Sequence, residues 1–498
     1  MLSFRCLILF PLLWAGIAAA DAVPSTDALV EERLPVRLRS ALDVRDVPAD
    51  SLSLHVVDLE TGETTLSWME DEPRNPASVM KLLTTLVALD TLGPAYTWRT
   101  EVHAVGELED DRLEGDLLLR GYGDPFLVTE RVWQMLRELR RAGLRSISGD
   151  LLIDDSYFHI AGYDPAAFDR QPLRAYNVAP NALMMNFRVV RYYFEPDVAG
   201  NVVNIRTDPE LDNLTVVNRL SVANGRCRGY QRGITIVPNV SKDRFTFSGR
   251  FPSGCEIYAM DRAALDHNAF TYGLFKYMWR EVGGEFDGDY RNVQGDGIQG
   301  DGNMQGEPDE GDPDDEPLLT FESWPLADVI SKVNKHSNNV MARHLLLTVA
   351  AEKYGAPGTE ENGRRAVMEW LAERGLADER LMLANGAGLS RTSRMTARQM
   401  AELLRYAYSR PYMPEFLSSM SLTGLDGTTS RRFDEADQLT GRAHVKTGSL
   451  DHVSAIAGYI QARSGKRYVF VTMQNYEDIH RGPGEEVQEA LLRWVYAQ

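Results

Sequence analysis

Apolar and polar residues alternate from Leu52 to Leu66 around Thr61-Gly62-Glu63, the period of a half-buried β-hairpin. The same period returns near the C-terminus. Val453–Ile460 and Tyr468–Met473 flank Ser464-Gly465-Lys466 and predict a second hairpin. Helical patterns accompany both. Pro76 suits the first turn of a helix carrying Lys81 to Leu92, which Gly93-Pro94 ends. Leu82, Leu83, Leu86, Val87, Ala88, Leu89 and Leu92 make that helix apolar on nearly every face, so it should be buried. A last helix, from about Glu485 to Tyr496, keeps Val487, Ala490, Leu491, Trp494 and Val495 on one stripe. Its polar face is not basic, which predicts core packing rather than a membrane-surface anchor.

The middle of the chain has another texture. From about Glu101 to Asp266, strand-like runs and Gly/Pro/Asn turns dominate, with one clear helix at Glu130 to Ala142. A further helix, about Asn268 to Val282, precedes a Gly/Asp/Gln-rich stretch over 283–317 that cannot build a core and predicts an acidic linker or loop. The outer segments thus hold hairpins of one kind, and a long insertion separates them. A domain split by inserted domains is the economical reading.

Length and charge narrow the class. A chain of 498 residues has room for two to four domains. Met1 to Ala20 reads as a secretory signal: Arg5 leads, Leu7 to Ile17 is apolar, and small residues at Ala18 to Ala22 offer cleavage sites. No later apolar run approaches the length of a bilayer span, so the mature protein is expected to be exported with no transmembrane segment. Export leaves two cysteines, Cys227 and Cys255, which are expected to form a disulfide. A net charge of −19 argues against nucleic acid or an anionic membrane as partner.

Three short motifs carry chemistry. Ser78 stands three residues before Lys81, Ser337 two before Asn339, and Lys446-Thr447-Gly448 follows in order. A serine hydroxyl becomes a good nucleophile only when a base removes its proton. Three residues apart on a helix, Ser78 and Lys81 would lie side by side. Lys81 can act as that base only if its pKa falls, through apolar burial and repulsion from Lys446. Ser337 can pass a proton to a leaving amine, and Asn339 can hold a substrate amide with its donor and acceptor. On an edge strand, Lys446 and Thr447 can bind a carboxylate, Gly448 can leave room for substrate backbone, and the N–H groups of Ser78 and Ser449 can form an oxyanion hole. Competing constellations are absent: there is no Gly-x-Ser-x-Gly elbow, no His-Glu-x-x-His and no phosphate loop, and the nine histidines show no metal-ligand spacing. The chemistry needs no metal or cofactor.

With Asn75-Pro76-Ala77-Ser78-Val79-Met80-Lys81, Gly121-Tyr122-Gly123-Asp124-Pro125, Ser337-Asn338-Asn339, Gly388-Leu389-Ser390-Arg391, Asp426-Gly427-Thr428 and His444 to Leu450, the chain resembles the D-alanyl-D-alanine carboxypeptidase/endopeptidase family of DacB-like low-molecular-mass penicillin-binding proteins. The resemblance spans nearly the whole mature chain. It implies an α+β fold: a penicillin-binding/β-lactamase-like domain with a five-stranded antiparallel sheet and flanking helices, split by two mainly β inserted domains, one nested in the other. The expected division is a catalytic domain over 21–100 and 318–498, a second domain over 101–195 and 262–300, and a third over 196–261. The resemblance also implies Ser78 as nucleophile, Lys81 as general base, Ser337 and Asn339 as proton relay and substrate clamp, and Lys446 with Thr447 as carboxylate anchor. The expected activity is a periplasmic serine D-Ala-D-Ala carboxypeptidase, with DD-endopeptidase activity as well. Peptidoglycan stem peptides are its substrates and β-lactams its covalent inhibitors. Two other readings compete. A β-lactamase is disfavoured because no Glu-x-x-x-Asn lies between Asn339 and Lys446, and a silent β-lactam or cell-wall sensor because Lys81 is intact. Two departures from the family pattern stand out: Asn385-Gly386-Ala387-Gly388 where Asp-Gly-Ser-Gly is usual, and Asn338 where Asp is common.

Overall fold

The computed structural model describes residues 33–498 except 228, 230–232, 295–296, 300–315 and 435. The expected signal segment lies outside the described residues. The chain runs through helix α1 (Val36–Asp43), the hairpin β1 (Leu52–Asp58) and β2 (Thr64–Trp68), a 3-10 turn at Ala77–Met80 and helix α2 (Lys81–Leu92). A long hairpin, β3 (Arg99–Glu109) and β4 (Arg112–Gly121), opens the insertion. Helix α3 (Thr129–Arg141) and strands β5 (Ser146–Ile147) and β6 (Leu151–Asp154) follow. Next come β7 (Val189–Asp197), β8 (Val202–Asp208), β9 (Thr215–Arg226), β10 (Ile234–Pro238), β11 (Arg244–Gly254) and β12 (Tyr258–Ala263). Helix α4 (His267–Glu281) leads into β13 (Glu285–Phe286), β14 (Tyr290–Gln294), β15 (Gly297–Gln299) and β16 (Leu319–Glu322). The chain then returns through α5 (Leu326–Lys335), α6 (Asn339–Tyr354), α7 (Glu360–Glu373), α8 (Ala397–Tyr408) and α9 (Met413–Ser418). It closes with β17 (Ser421–Leu422), β18 (Ala443–Leu450), β19 (Val453–Gln461), β20 (Arg467–Asn475) and α10 (Pro483–Tyr496).

The two outer hairpins join in one antiparallel sheet, ordered β17-β18-β19-β20-β1-β2. Five of its strands are long; β17, of two residues, is a sixth that the expected five-stranded sheet lacks. Helices cover both faces. Leu54, Val56, Ile456 and Phe470 pack with α1 and with Val487, Leu491 and Val495 of α10. On the other face, Ala455, Ala457, Val469 and Val471 join a core with α2, α5, α6, α7 and α8. This double cover corrects the half-buried reading of the first hairpin: all seven residues of β1 are buried. Two of its polar positions find partners inside: Arg74 Nε donates to Ser53 Oγ at 2.7 Å, and Asp58 Oδ1 accepts the Glu60 N–H at 2.9 Å. Helix α2 is buried along nine of its twelve residues, as its all-round apolar sequence requires.

The insertion forms two more sheets. One has the order β10-β11-β9-β8-β7-β12, and the other gathers β3–β6 with β13–β16. The first runs from 189 to 263, so the expected boundaries at 196 and 261 fall inside β7 and β12. The stretch expected as a linker over 283–317 instead holds three short strands, β13 to β15, within its described residues up to 299, because β13 and β14 pair with β5 and β6 and Phe286 and Tyr290 pack against Tyr272 of α4. Strand β16 pairs with β3, which places 319–322 with the insertion and not with the catalytic unit. A single apolar core reaches both sheets, from Val102 and Leu119 through Phe270 and Trp279 to Tyr192 and Phe247. Cys227 and Cys255 are disulfide-bonded just past the ends of β9 and β11, which run parallel.

Candidate active site

Four chain segments converge where the sheet edge meets the helical layer. The first is the 3-10 turn that holds Ser78 and runs directly into α2 at Lys81. Ser78 therefore sits on a tight turn ahead of the helix, not inside it. The turn is set by its neighbours: Asn75 Oδ1 accepts the Ala77 N–H at 2.9 Å, and Asn75 Nδ2 donates to the Ser390 carbonyl at 2.8 Å. Ala77 has φ +46°, a left-handed conformation that costs a non-glycine residue energy.

The second segment links α5 to α6. Ser337, also left-handed at φ +55°, ends the connection, and Asn339 opens α6. Asn338 caps that helix, its Oδ1 accepting the Met341 N–H at 3.0 Å. This explains one departure from the family pattern, because Asn and Asp both supply the acceptor a cap needs.

The third segment was not assigned from sequence. Lys81 Nζ lies 2.9 Å from Ser78 Oγ, 2.6 Å from Asn339 Oδ1 and 2.6 Å from the carbonyl oxygen of Ala387. The Ala387 contact uses backbone, so Ala in place of Ser leaves it intact. Asn385 Oδ1 accepts the Ala387 N–H at 3.2 Å and Asn385 Nδ2 donates to the Leu389 carbonyl at 3.1 Å, so the amide shapes the loop. Gly388 has φ +73°, and an added Cβ would sit 1.9 Å from the Ala77 carbonyl oxygen. The glycine-rich run around Ala387 was the available signal; a backbone acceptor has no side-chain signature.

The fourth segment is β18. Lys446 Nζ donates to Ser337 Oγ at 3.0 Å and to the Thr447 carbonyl at 2.8 Å. Thr447 Oγ1 is 2.7 Å from Thr428 Oγ1, and Lys335 pairs with Asp426 beside it. Strand β17 pairs only with His444 and Val445, which leaves the outer edge of β18 without a strand partner from Lys446 onward among the described residues. Gly448 has a structural use as well. A Cβ there would lie 2.5 Å from the Pro76 carbonyl and 3.0 Å from Ser78 N, so its absence lets β18 approach the Ser78 turn.

The electrostatics are unusual. Lys81 and Lys446 are both fully buried, and neither has a carboxylate partner among the described residues. Buried lysines without counter-ions are rare, because the charged form loses its hydration. Burial, with repulsion from Lys446 next, pulls the Lys81 pKa well below its ordinary value. Burial pushes Lys446 down to about 7. A neutral Lys81 amine has two N–H groups and one lone pair. Asn339 Oδ1 and the Ala387 carbonyl can only accept, so they take the two N–H groups and leave the lone pair facing the Ser78 hydroxyl.

Above the lysines opens a cleft of about 1500 Å³ that is lined by Ser78, Ser337, Asn339, Leu389, Arg391, Ser449 and Asp451, among others. Arg391 crosses its rim to Asp451 at 3.1 Å and lies over the Phe168 ring at 4.7 Å. Outside the cleft, His452, Asp478 and His480 bring three ligand atoms within 4.8 Å of one another, although sequence spacing gave no such grouping. His480 Nδ1 accepts the His452 N–H and His452 Nδ1 accepts the Asp478 N–H, both at 3.0 Å. Each neutral ring then keeps its proton on Nε2, which suits a turn lock better than a metal centre.

Against known proteins, residues 37–497 match the family described as D-Ala-D-Ala carboxypeptidase 3 (S13). The chain belongs to this family. Membership makes it a serine-type D-Ala-D-Ala carboxypeptidase, a hydrolase of the penicillin-binding class. Among S13 relatives, it is 26% identical over 405 residues to the D-alanyl-D-alanine carboxypeptidase DacB of Haemophilus influenzae, covering 80% of each chain. It is 28% identical over 453 residues to the D-alanyl-D-alanine carboxypeptidase of an Actinomadura species, covering 88% of this chain and 79% of the relative. In fold it resembles the crystal structure of penicillin binding protein 4 (dacB) from Haemophilus influenzae, with a TM-score of 0.75 at 22% identity over 93% of this chain and 100% of the other. The same protein complexed with a β-lactam gives a TM-score of 0.71. No helix among the described residues of this S13 chain is long and apolar enough to cross a membrane.

Proposed function

We propose that the protein hydrolyses the D-Ala-D-Ala end of peptidoglycan stem peptides through an acyl-enzyme on Ser78. The observation that carries this reading is Lys81: a fully buried amine with its two N–H groups committed to carbonyl oxygens and its lone pair left for Ser78 Oγ. Lys81 Nζ takes the Ser78 proton as Oγ bonds to the penultimate D-Ala carbonyl carbon. The resulting oxyanion sits between the Ser78 and Ser449 N–H groups. Lys81 gives that proton up through Ser337, itself bonded to Lys446 at 3.0 Å, to the departing amine, and the C–N bond breaks to release D-alanine and leave Lys81 neutral again. Water then attacks the ester, its proton goes to Lys81, and Ser78 leaves as the hydroxyl. Asn339 Nδ2 holds the substrate amide, while Lys446 and Thr447, with Thr428 beside it, hold the terminal carboxylate. The open edge of β18 receives the peptide as an added strand.

The same site serves cross-link cleavage, since only the leaving amine changes. β-Lactams acylate Ser78 because they present the same carbonyl and carboxylate. The protein works in the periplasm, where its substrate polymer lies. The catalytic unit comprises the described chain up to about 98 and from about 323. Within the insertion, β3–β6 with β13–β16 form one domain and β7–β12 a nested one. Fluorescent penicillin and a pentapeptide ending in D-Ala-D-Ala test the reading together. Persistent label mapped to Ser78, with D-alanine release, supports it. Rapid label turnover without peptide cleavage favours a β-lactamase, and stable label without peptide cleavage a sensor. No labelling at all sinks the proposal.

A further inference from the structure

The cleft is larger than a stem-peptide end requires, and its distal arm has its own chemistry. Its volume of about 1500 Å³ exceeds the roughly 300–1,000 Å³ typical of a small-ligand pocket. Besides Ser78, the cleft is lined by Phe126, Phe187 and, from α3, Glu130, Trp133 and Gln134. Helix α3 buries Val132, Met135, Leu136 and Leu139. Trp133 lies off that stripe, and 46% of it is exposed. An indole there does nothing for the core, and Arg137, 5.1 Å above the ring, fixes its plane. The same cleft also has polar lining from the nested sheet. Arg191 grips Asp261 through two bonds of 2.7 and 3.0 Å, with Asp208 beside them.

An exposed aromatic plane in one cleft with planar amide, carboxylate and guanidinium groups matches a pyranose. The sugar's C–H face stacks on the ring while its hydroxyl and N-acetyl rim takes the hydrogen bonds. A protein of net charge −19 suits an uncharged polymer better than an acidic one. We propose that this arm binds an N-acetylated sugar of the glycan strand. The inference rests on the stem-peptide reading above, because a stem peptide is covalently attached to an N-acetylmuramoyl residue. The cleft thereby reads the peptide end and the sugar together, and naked peptide fills only part of it.

The test compares free pentapeptide, the same peptide on N-acetylglucosaminyl-N-acetylmuramoyl disaccharide, and a cross-linked sugar-free peptide dimer. The expected result is a lower KM for the disaccharide substrate in the parent protein. Trp133→Ala should raise that KM roughly five- to tenfold, the worth of one good aromatic contact, and leave free-peptide hydrolysis and penicillin acylation unchanged. Trp133→Phe should restore most of the preference. Equal KM for free and disaccharide peptides in the parent overturns the proposal, as does a loss shared equally by all substrates in Trp133→Ala. A selective loss on the sugar-free dimer also overturns it, assigning the arm to a second peptide. Failure of penicillin and every peptide to react in the parent would instead sink the stem-peptide reading itself.

Discussion

Replacing Lys446 by Met, which keeps the length and removes the charge, isolates the energetic burden of the site. Burial holds the Lys446 pKa near 7, against an ordinary 10.5. At about 1.4 kcal/mol per tenfold change in proton affinity, the folded state loses up to about 5 kcal/mol by burying this ammonium at pH below 7. Between pH 7 and 10.5 the unfolded chain holds a proton that the folded chain releases, so this contribution to stability rises with pH. Below 7 both states are protonated and the penalty is complete. Lys446→Met has no such dependence. Losing Lys446 also removes its repulsion of Lys81, which lessens the Lys81 contribution in the same sense. The unfolding free energy of the mutant minus that of the parent should therefore be largest near pH 6.5. It should fall by about 1.4 kcal/mol per pH unit from 7 to 9. Urea unfolding at several pH values, with the Cys227–Cys255 disulfide intact, measures it. The lost bonds to Ser337 Oγ and the Thr447 carbonyl add only a constant offset. A difference that stays flat with pH, whatever its sign, refutes the reasoning.

Penicillin acylation should show an acid limb, because protonating Lys81 removes the base. The rate falls as pH drops through its lowered pKa, and Lys81→Met should cut acylation by about 10²–10⁴, read as the second-order labelling rate. Gly448→Ala should slow acylation at least about tenfold by forcing β18 off the Ser78 turn, while far-ultraviolet circular dichroism stays unchanged. Asn338→Ala should destabilise the protein by about 1 kcal/mol, whereas Asn338→Asp should retain the α6 cap; thermal unfolding separates them.

What the sequence made legible follows from what leaves a side-chain trace. The α2 helix is readable at its C-terminal end, where Gly93 stops a run of mostly apolar residues, whereas the turn before Lys81 reads as helix and is a 3-10 turn. The Ser78, Lys81, Ser337, Asn339 and Lys446 cluster is readable because its chemistry is in side chains. Three features were not. The Ala387 carbonyl is backbone, so its residue type is nearly free. Phe286 and Tyr290 lie in a stretch whose composition says linker, and what makes strands of it is pairing with β5 and β6, far back in the sequence, and packing on α4. Strand β1 alternates like a half-exposed strand, yet the second face is covered by helices that the strand's own sequence cannot announce. Tertiary context decided each of these.

The same context explains why the site stays assembled although its parts violate local rules. Ala77 and Ser337 are left-handed without being glycine, at a cost of order 1–3 kcal/mol each, and two unpaired lysines lie beside them. None of this survives on an isolated turn. Each violation, however, abuts a segment fixed from both sides. Asn75 ties the Ser78 turn to the Ser390 backbone, α2 continues it into the apolar core, and Asn338 anchors the Ser337 turn to α6. Lys81 in turn bonds three of the four segments, and Lys446 joins the fourth to Ser337. Relaxing one strained turn would strand a buried amine without its acceptors, which is worse than the strain. The long insertion between Ser78 and Ser337 is tolerated for that reason: α2 packs directly on α5 and α6 through residues such as Leu86, Ile330 and Leu345. The sequence distance it adds never has to be spanned by the site.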